Sequence, residues 1–369
     1  MNFSIDKNIL QNLLIEHHKV IPIRTTLPIL STAFLKIEKN ILTIKTTDLE
    51  QTIISSTEIE DEQKGSVCIP MGKLHEIVSA MPQDKISFSI NEDFLVEINN
   101  KQGAYKITGR SPEEFPEDPT SKTTDKIKLQ GELLYNIIEA TAYAASKEDL
   151  KPALSGVYFN FKKDGITVVA TDGHRLVKNI VKEKTNTDQS LIIPVKFLNI
   201  IKNIINKKEI VSIDIKENSL STKQKNLTIE TRVIKETYPD FNSVIPENNT
   251  VRAKVNTQAL ISCLKRVSIF SNRTTKQTIL DFSEKGIVVS AQDPETSTSG
   301  KEHVDCEYKG ESITTSYNAK YLIDVLRHIK TEKANIYLSA PLSAATIQET
   351  EKKEKEETIN LLMPLRLNN

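Results

Sequence analysis

Tryptophan is absent from this 369-residue chain and glycine is sparse: there are 11 glycines and three cysteines, and basic and acidic residues number 49 each. So few glycines leave no phosphate-cradling loop of either common form. Gly-x-Ser-x-Gly, His-Glu-x-x-His and paired Cys-x-x-Cys are missing too, which removes the usual signatures of serine hydrolases and zinc sites. Cys68, Cys263 and Cys306 are odd in number and lack metal-ligand spacing, so free thiols in a reducing cytoplasm are expected, with no metal and no cofactor. No stretch approaches the roughly 20 continuous apolar residues of a membrane span, and no basic-then-apolar signal segment opens the chain. Zero net charge does not announce a nucleic-acid partner. It does not exclude one either, because a polyanion responds to the local field and not to the total.

What the chain does have is an internal repeat. Phe3, Ile5, Ile9, Leu10, Leu13 and Leu14 return as Ile127, Leu129, Leu133, Leu134, Ile137 and Ile138, an offset of 124 (127 − 3). They return again as Ala253, Val255, Ala259, Leu260, Cys263 and Leu264, a further 126 (253 − 127). The first two copies stay in register: Leu27 to Ser31 aligns with Lys151 to Ser155, Thr47-Asp48 with Thr171-Asp172, and Ile69-Pro70 with Ile193-Pro194. Each copy opens on an alternating apolar pair, a strand signal, then shifts to apolar residues at i, i+1, i+4 and i+5, one buried face of a helix. Asp6 and Asn256 sit where an N-cap belongs.

Within each copy a strand, helix and hairpin series runs twice. The first helix is expected near Lys7 to His18, and the second near Lys73 to Met81, Lys196 to Ile205 and Lys320 to Ile329. Strands are expected around Phe3 to Ile5, Ala33 to Ile37, Ile41 to Ile44, Lys85 to Ile90 and Phe94 to Ile98, with a hairpin turn at Asp164-Gly165. The fold class is α+β, with three domains at 1–120, 126–247 and 252–369, each two helices over antiparallel sheet. Linkers are expected near Asp118 to Asp125 and near Pro246 to Val251.

Few residues promise chemistry. His17 and His18 are adjacent, so on a helix they point about 100° apart and cannot share a metal; exposed polar residues near a helix end is the expectation. Thr171-Asp172-Gly173-His174-Arg175-Leu176 crowds a carboxylate, an imidazole and a guanidinium into one turn. His174 as a general base oriented by Asp172 is one reading; a strand end with a permissive glycine and local hydrogen bonds is the other. The aspartate returns as Asp48 and Asp293 without a histidine, which assigns it to the fold. A hydrolase would also need a nucleophile that the sequence does not offer. Lys73, Lys196, Lys202, Lys265, Arg266, Lys320 and Arg327 fall in expected helices, where a solvated polar face is the default.

Four elements together carry a specific resemblance: the Thr171 to Leu176 run; Tyr238-Pro239-Asp240-Phe241 with Val244-Ile245-Pro246; Arg24 with Thr26 to Leu30; and the ending Met363-Pro364-Leu365-Arg366-Leu367. Over essentially its whole length the chain resembles the bacterial DNA polymerase sliding clamps, β subunits of the replicative polymerase. The resemblance implies a head-to-tail homodimer closing a ring of six similar domains around duplex DNA, a processivity factor and not an enzyme. Twelve helices spaced about 8–10 Å apart around the inside give a circumference on the order of 100–120 Å. Less a helix radius of about 5 Å on either side, the opening is roughly 22–28 Å, enough for a B-form duplex.

The same resemblance implies residue roles. Arg24 matches a DNA-touching position, and Lys73, Lys196, Lys202, Lys265, Lys320 and Arg327 are candidates for sequence-independent phosphate contact. Where some relatives carry DNA-contacting aromatics before Leu154, this chain has Pro152 and Ala153. A hydrophobic groove between the second and third domains is implied to bind short peptides from the replicative polymerase, repair polymerases, the clamp loader, mismatch-repair proteins and ligase. Its expected residues are Leu154, Thr171, Gly173, His174, Arg175, Leu176, Pro239, Val244, Asn318, Tyr321, Leu342, Leu361, Leu362, Met363, Pro364, Leu365 and Arg366, with His174, Arg175 and Arg366 able to hydrogen-bond the peptide. Apart from the resemblance, Met363 to Leu367 reads as a terminal strand and Leu154 as core. Ser243 and Thr275 depart from the family pattern, Asn368 and Asn369 extend the usual ending, and Lys352 to Glu357 reads as a solvated loop. Tyr105, Ile269 and Phe270 match dimer-interface positions. A peptide-binding scaffold that does not encircle DNA is the alternative.

Overall fold

Strand feeds directly into helix at each start of the repeat, in a computed structural model that describes residues 1–117, 122–148, 150–246, 249–351 and 354–367, the side chains of Asp61 and Glu62 excepted. The described residues hold six α-helices: α1 (Lys7–His18), α2 (Met71–Ala80), α3 (Gly131–Thr141), α4 (Val195–Ile204), α5 (Thr257–Val267) and α6 (Ala319–Arg327). Asp6 Oδ1 accepts from the Asn8 and Ile9 N–H groups at 2.8 and 3.2 Å, and Asn256 Oδ1 from Ala259 N–H at 2.9 Å. Both expected N-caps are therefore in place. Helices α2, α4 and α6 begin and end one or two residues before their expected bounds, because strands Gly65–Pro70, Gln189–Pro194 and Ile313–Asn318 run into them without a loop.

The helix faces differ in one respect from the expected pattern. Leu10, Leu13 and Leu14 are buried, as are Leu134, Ile137 and Ile138 and Leu260, Cys263 and Leu264. The leading residue of each set is not: Ile9 and Ala259 are exposed and Leu133 is half-buried. At about 100° per residue Ile9 lies at the edge of the arc, and His17 falls near its centre with Leu10 and Leu13. His17 is accordingly fully buried, against the expectation of an exposed pair. Its ring nitrogens meet Thr46 Oγ1 and Ser55 Oγ, each at 2.8 Å. His18 is exposed and its ring lies 5.3 Å from that of His75.

Backbone contacts divide the described chain into two compact units, residues 1–132 with 199–233, and 133–198 with 234–369. The first holds a five-stranded sheet, in order Glu60–Gln63, Asn2–Asp6, Lys85–Ile90, Leu95–Asn100, Gly103–Thr108, and an eight-stranded one. The second holds a nine-stranded sheet and a four-stranded one in order Thr298–Val304, Gly286–Asp293, Gln277–Ser283, Ile313–Asn318. Copies are joined by strand pairing. Gln51–Glu58 pairs antiparallel with Leu227–Arg232 in the first unit, and Arg175–Val181 with Glu356–Leu362 in the second.

The expected turn at Asp164-Gly165 sits one residue earlier, at Lys163-Asp164, with Gly165 already paired to Lys162. A Cβ on Gly165 would come within 2.8 Å of the Val181 carbonyl oxygen, so here glycine serves close strand approach and not the turn. Of the expected linkers, residues 118–121 and 247–248 lie outside the described residues, as do Lys352, Lys353, Asn368 and Asn369; the strand Val251–Asn256 begins where its linker was expected to end, and Thr123–Gln130 begins two residues before.

Candidate functional site

The recurring aspartate closes the same turn in the first two copies and a turn two residues longer in the third. Asp48 Oδ1 accepts from Glu50 and Gln51 N–H (3.1 and 2.7 Å), Asp172 Oδ1 from His174 and Arg175 N–H (2.9 and 3.0 Å), and Asp293 Oδ1 from Glu295 N–H (3.3 Å). Asp172 thus holds the backbone of His174, and Arg175 Nε takes its second oxygen at 3.1 Å. The imidazole instead stacks on Tyr321, ring centroids 5.7 Å apart. That geometry does not orient His174 as a general base. The residue after the aspartate is left-handed in two copies, Leu49 at φ 74° and Gly173 at φ 88°. No atom lies within 4 Å of where a Gly173 Cβ would stand, so backbone is laid open there.

Arg175 is only 6 % exposed, and its donors are engaged within the chain. Nε reaches Asp172, Nη1 donates to Asp324 Oδ2 of α6 at 3.0 Å, and Nη2 to the Tyr143 carbonyl at 2.8 Å. Its guanidinium carbon lies 4.8 Å from the Tyr321 ring centroid and 5.2 Å from that of Tyr143. The Tyr143 hydroxyl bonds Asn360 Oδ1 at 2.9 Å, its ring stacks on His328, and burial drives its pKa far upward. Burial likewise holds His328 below the usual imidazole range, despite its Nδ1 lying 2.7 Å from the Asp324 carbonyl. Three of its five N–H groups are thus engaged within the chain, and Arg175 ties the Asp172 turn to α6. Tyr143 and Asp324 were not legible as site residues, since they lie 32 and 149 positions from Arg175 with no local signal.

Around that tie the structure collects an apolar bed. Val169, Leu176, Ala344 and Leu361 form one buried cluster, with Tyr158, Tyr238, Phe241 and Ile245 packed against it. Leu154 and Leu362 are also buried. Val244, Leu342, Met363, Pro239, His174 and Arg366 are exposed, Leu342 at 63 %. Thr171 Oγ1 donates to the Arg175 carbonyl at 2.6 Å, and Asn318 Oδ1 caps α6 at Lys320 and Tyr321 N–H.

The ending is not the terminal strand that its apolar residues would give on their own. Pairing stops at Leu362, and the tail then runs between the second copy and the body of its own. Met363 N–H donates to the His174 carbonyl (2.9 Å), Leu365 N–H to the Ser316 carbonyl (2.8 Å), and Gln277 Nε2 to the Arg366 carbonyl (2.8 Å). Pro364 lacks the N–H that a further ladder bond would need. Met363 and Leu367 remain partly exposed.

The cationic candidates lie on α2, α4, α5, α6 and one loop. Arg24 is exposed in the loop before the 3-10 turn Pro28–Ser31. Lys73 on α2 pairs with Glu76 at 2.8 Å, and Arg327 on α6 lies 3.5 Å from Asp324 Oδ1. Lys196 on α4, Lys265 on α5 and Lys320 on α6 are exposed, and Lys202 on α4 is half-buried. Tyr105, 40 % exposed, lies on Gly103–Thr108, an end strand of its sheet. Ile269 (76 % exposed) and Phe270 lie in the turn after α5, where a Cβ on Gly300 of the end strand Thr298–Val304 would come within 2.5 Å of the Phe270 ring.

Cys68 and Cys263 are buried free thiols, and burial raises each to about 11. Among the described residues no group of three or more His, Cys, Asp or Glu could hold a metal ion, and no helix is long and apolar enough to cross a membrane.

Fold and site together define an α+β protein of three repeated two-helix domains joined edge to edge by antiparallel strands. Family models for the DNA polymerase III beta subunit match its N-terminal domain at residues 1–119, its central domain at 128–240 and its C-terminal domain at 242–366. The chain belongs to that family, the bacterial beta sliding clamps. It is 27 % identical over 381 residues to the Beta sliding clamp of Halalkalibacterium halodurans, covering 99 % of this chain and 100 % of the relative. To that of Haemophilus influenzae it is 28 % identical over 371 residues, covering all of both. Among solved structures, the polymerase III subunit beta of Pseudomonas aeruginosa superposes with a TM-score of 0.90 at 24 % identity, and the sliding clamp of Bacillus subtilis with 0.89 at 24 %, each over the full length of both chains.

Proposed function

We infer that this chain is a DNA sliding clamp: two copies close head to tail around duplex DNA and tether the replicative polymerase, conferring processivity without catalysing a reaction. One observation carries the closure. Each internal junction pairs a strand of one copy with a strand of the next. By the repeat offset Gly103–Thr108 takes the place of Leu227–Arg232 (227 − 103 = 124), and Thr298–Val304, the strand that follows the Asp293 turn, that of Arg175–Val181, which follows the Asp172 turn. Both are end strands, so each protomer carries half a junction at either end. An unpaired edge is a template for a further strand, and a heterologous contact makes a ring if its rotation closes. In that register Tyr105 takes the place of Ile229, whose partner is Ile53, and Gly300, beside the Phe270 ring, takes the place of Val177, so closure on this reading brings these two positions together.

The domains of this reading run 1–120, 126–247 and 252–369. A closed ring needs no tight grip on DNA, which suits a chain of zero net charge. Arg24, Lys73, Lys196, Lys202, Lys265, Lys320 and Arg327 supply weak phosphate contacts that are sequence-independent and salt-sensitive. The apolar bed around Leu176 and Leu361 binds the short peptides of replicative and repair polymerases, clamp loader, mismatch-repair proteins and ligase, with Met363, Leu342 and Val244 as adaptable walls. The compartment is the cytoplasm.

Loading onto nicked circular DNA tests the reading. The protein should stay with the circle through gel filtration and leave once the circle is linearised; equal retention on both forms, or on neither, supports the scaffold that does not encircle DNA.

A further inference from the structure

We propose that Asp324 is a positioning residue of the peptide site: by pairing with buried Arg175 it fixes the turn that presents Gly173 and His174. The inference rests on the peptide-binding reading above. Arg175 begins the strand that pairs with the tail-bearing strand, Arg175 opposite Leu362. Its guanidinium is charged at any working pH, so at 6 % exposure it needs compensating charge. Asp172 supplies one carboxylate from within the turn, and Asp324 the other from α6, its Oδ2 accepting from Nη1 at 3.0 Å.

That second bond spans the site. On one side lie Asp172 and the backbone N–H groups of His174 and Arg175 that it holds. On the other lies α6, whose Tyr321 ring faces both the His174 ring and the guanidinium. The His174 carbonyl in turn receives Met363 N–H from the tail. Asp324 is thus two steps from each exposed face of the site without facing a peptide itself. Arg327 Nη1 also lies 3.5 Å from its Oδ1, so the carboxylate is held from its own helix as well. Neutralising Asp324 leaves Arg175 with one carboxylate, frees α6 from the turn, and lets Gly173, unbranched and left-handed, relax out of register.

The test uses the full-length dimer and a fluorescein-labelled peptide from the C-terminal segment of the source bacterium's replicative polymerase. Asp324→Asn should weaken binding about tenfold by fluorescence anisotropy, Asp324→Glu should recover most of it, and hydrogen exchange at the His174 and Arg175 amides should quicken in the first variant only. Because a buried unpaired guanidinium can destabilise the fold, the pair Arg175→Met with Asp324→Leu is measured alongside. It removes the buried guanidinium together with the Asp324 carboxylate at similar volume, leaves Asp172 its two backbone N–H donors, and should stay folded yet bind about tenfold more weakly. Wild-type affinity in Asp324→Asn, or in the charge-free pair, overturns the proposal. If the wild-type protein itself fails to bind the peptide at micromolar concentration, the peptide-site reading falls instead.

Discussion

His17 shows how one side chain reverses its meaning once the fold is known. Beside His18 it reads as a polar residue near a helix end, but its position near the centre of the α1 face takes it into the core between Thr46 and Ser55. Burial lowers its pKa to about 3, against roughly 6.5 in an unfolded chain. Between those values the unfolded state binds more protons, so the stability that neutral His17 allows is present above about pH 6.5 and is lost as pH falls toward 3. By pH 5 the loss is about 2 kcal/mol. His17→Gln should flatten the fall in melting temperature between pH 7 and pH 5; parallel curves for variant and wild type would assign the acid sensitivity elsewhere. Arg175 is a second reversal. Its place in the motif was legible, but its carboxylate partner 149 residues away was not.

At the scale of elements, periodicity located all six helices, and the errors lie at their ends. Helix α2 starts at Met71 because Pro70 closes the preceding strand and no side chain caps the helix. Where a capping side chain does exist, at Asp6, Asn256 and Asn318, the helix starts directly after it. The tail was the harder element, since its apolar residues fit a strand as well as a groove wall. Its hydrogen bonds to His174, Ser316 and Gln277 hold it across two copies in place of a ladder. Deleting Met363 to Asn369 should abolish binding of the polymerase-tail peptide and leave the dimer intact by sedimentation; undiminished binding would remove the tail from the site.

For the whole molecule, two of the sheet edges, Gly103–Thr108 and Thr298–Val304, matter more than any single contact. Ile269 and Phe270 place apolar surface next to the edge Thr298–Val304, and Tyr105 projects from the edge Gly103–Thr108. Long exposed edges invite pairing, and a closed assembly is one way to remove them. Replacing Ile269 and Phe270 together by aspartate should therefore give folded monomers, since two buried charges without partners cost more than a modest interface supplies. A variant that stays dimeric at nanomolar concentration in sedimentation would place the contact elsewhere.

The sequence by itself determined the threefold repeat, the strand–helix order of each copy and two of the helix caps. These depend on residue type and on spacings of a few positions, which chain geometry converts directly into faces and turns. The aspartate turn was also legible, because three copies allowed Asp48, Asp172 and Asp293 to be compared. Only the tertiary structure decided that His17 is core, that Arg175 is bound to Asp324, and that the final residues leave the sheet after Leu362. Each of those depends on which groups meet across long stretches of chain. Burial and pairing are set there by packing, and a one-dimensional pattern does not contain it.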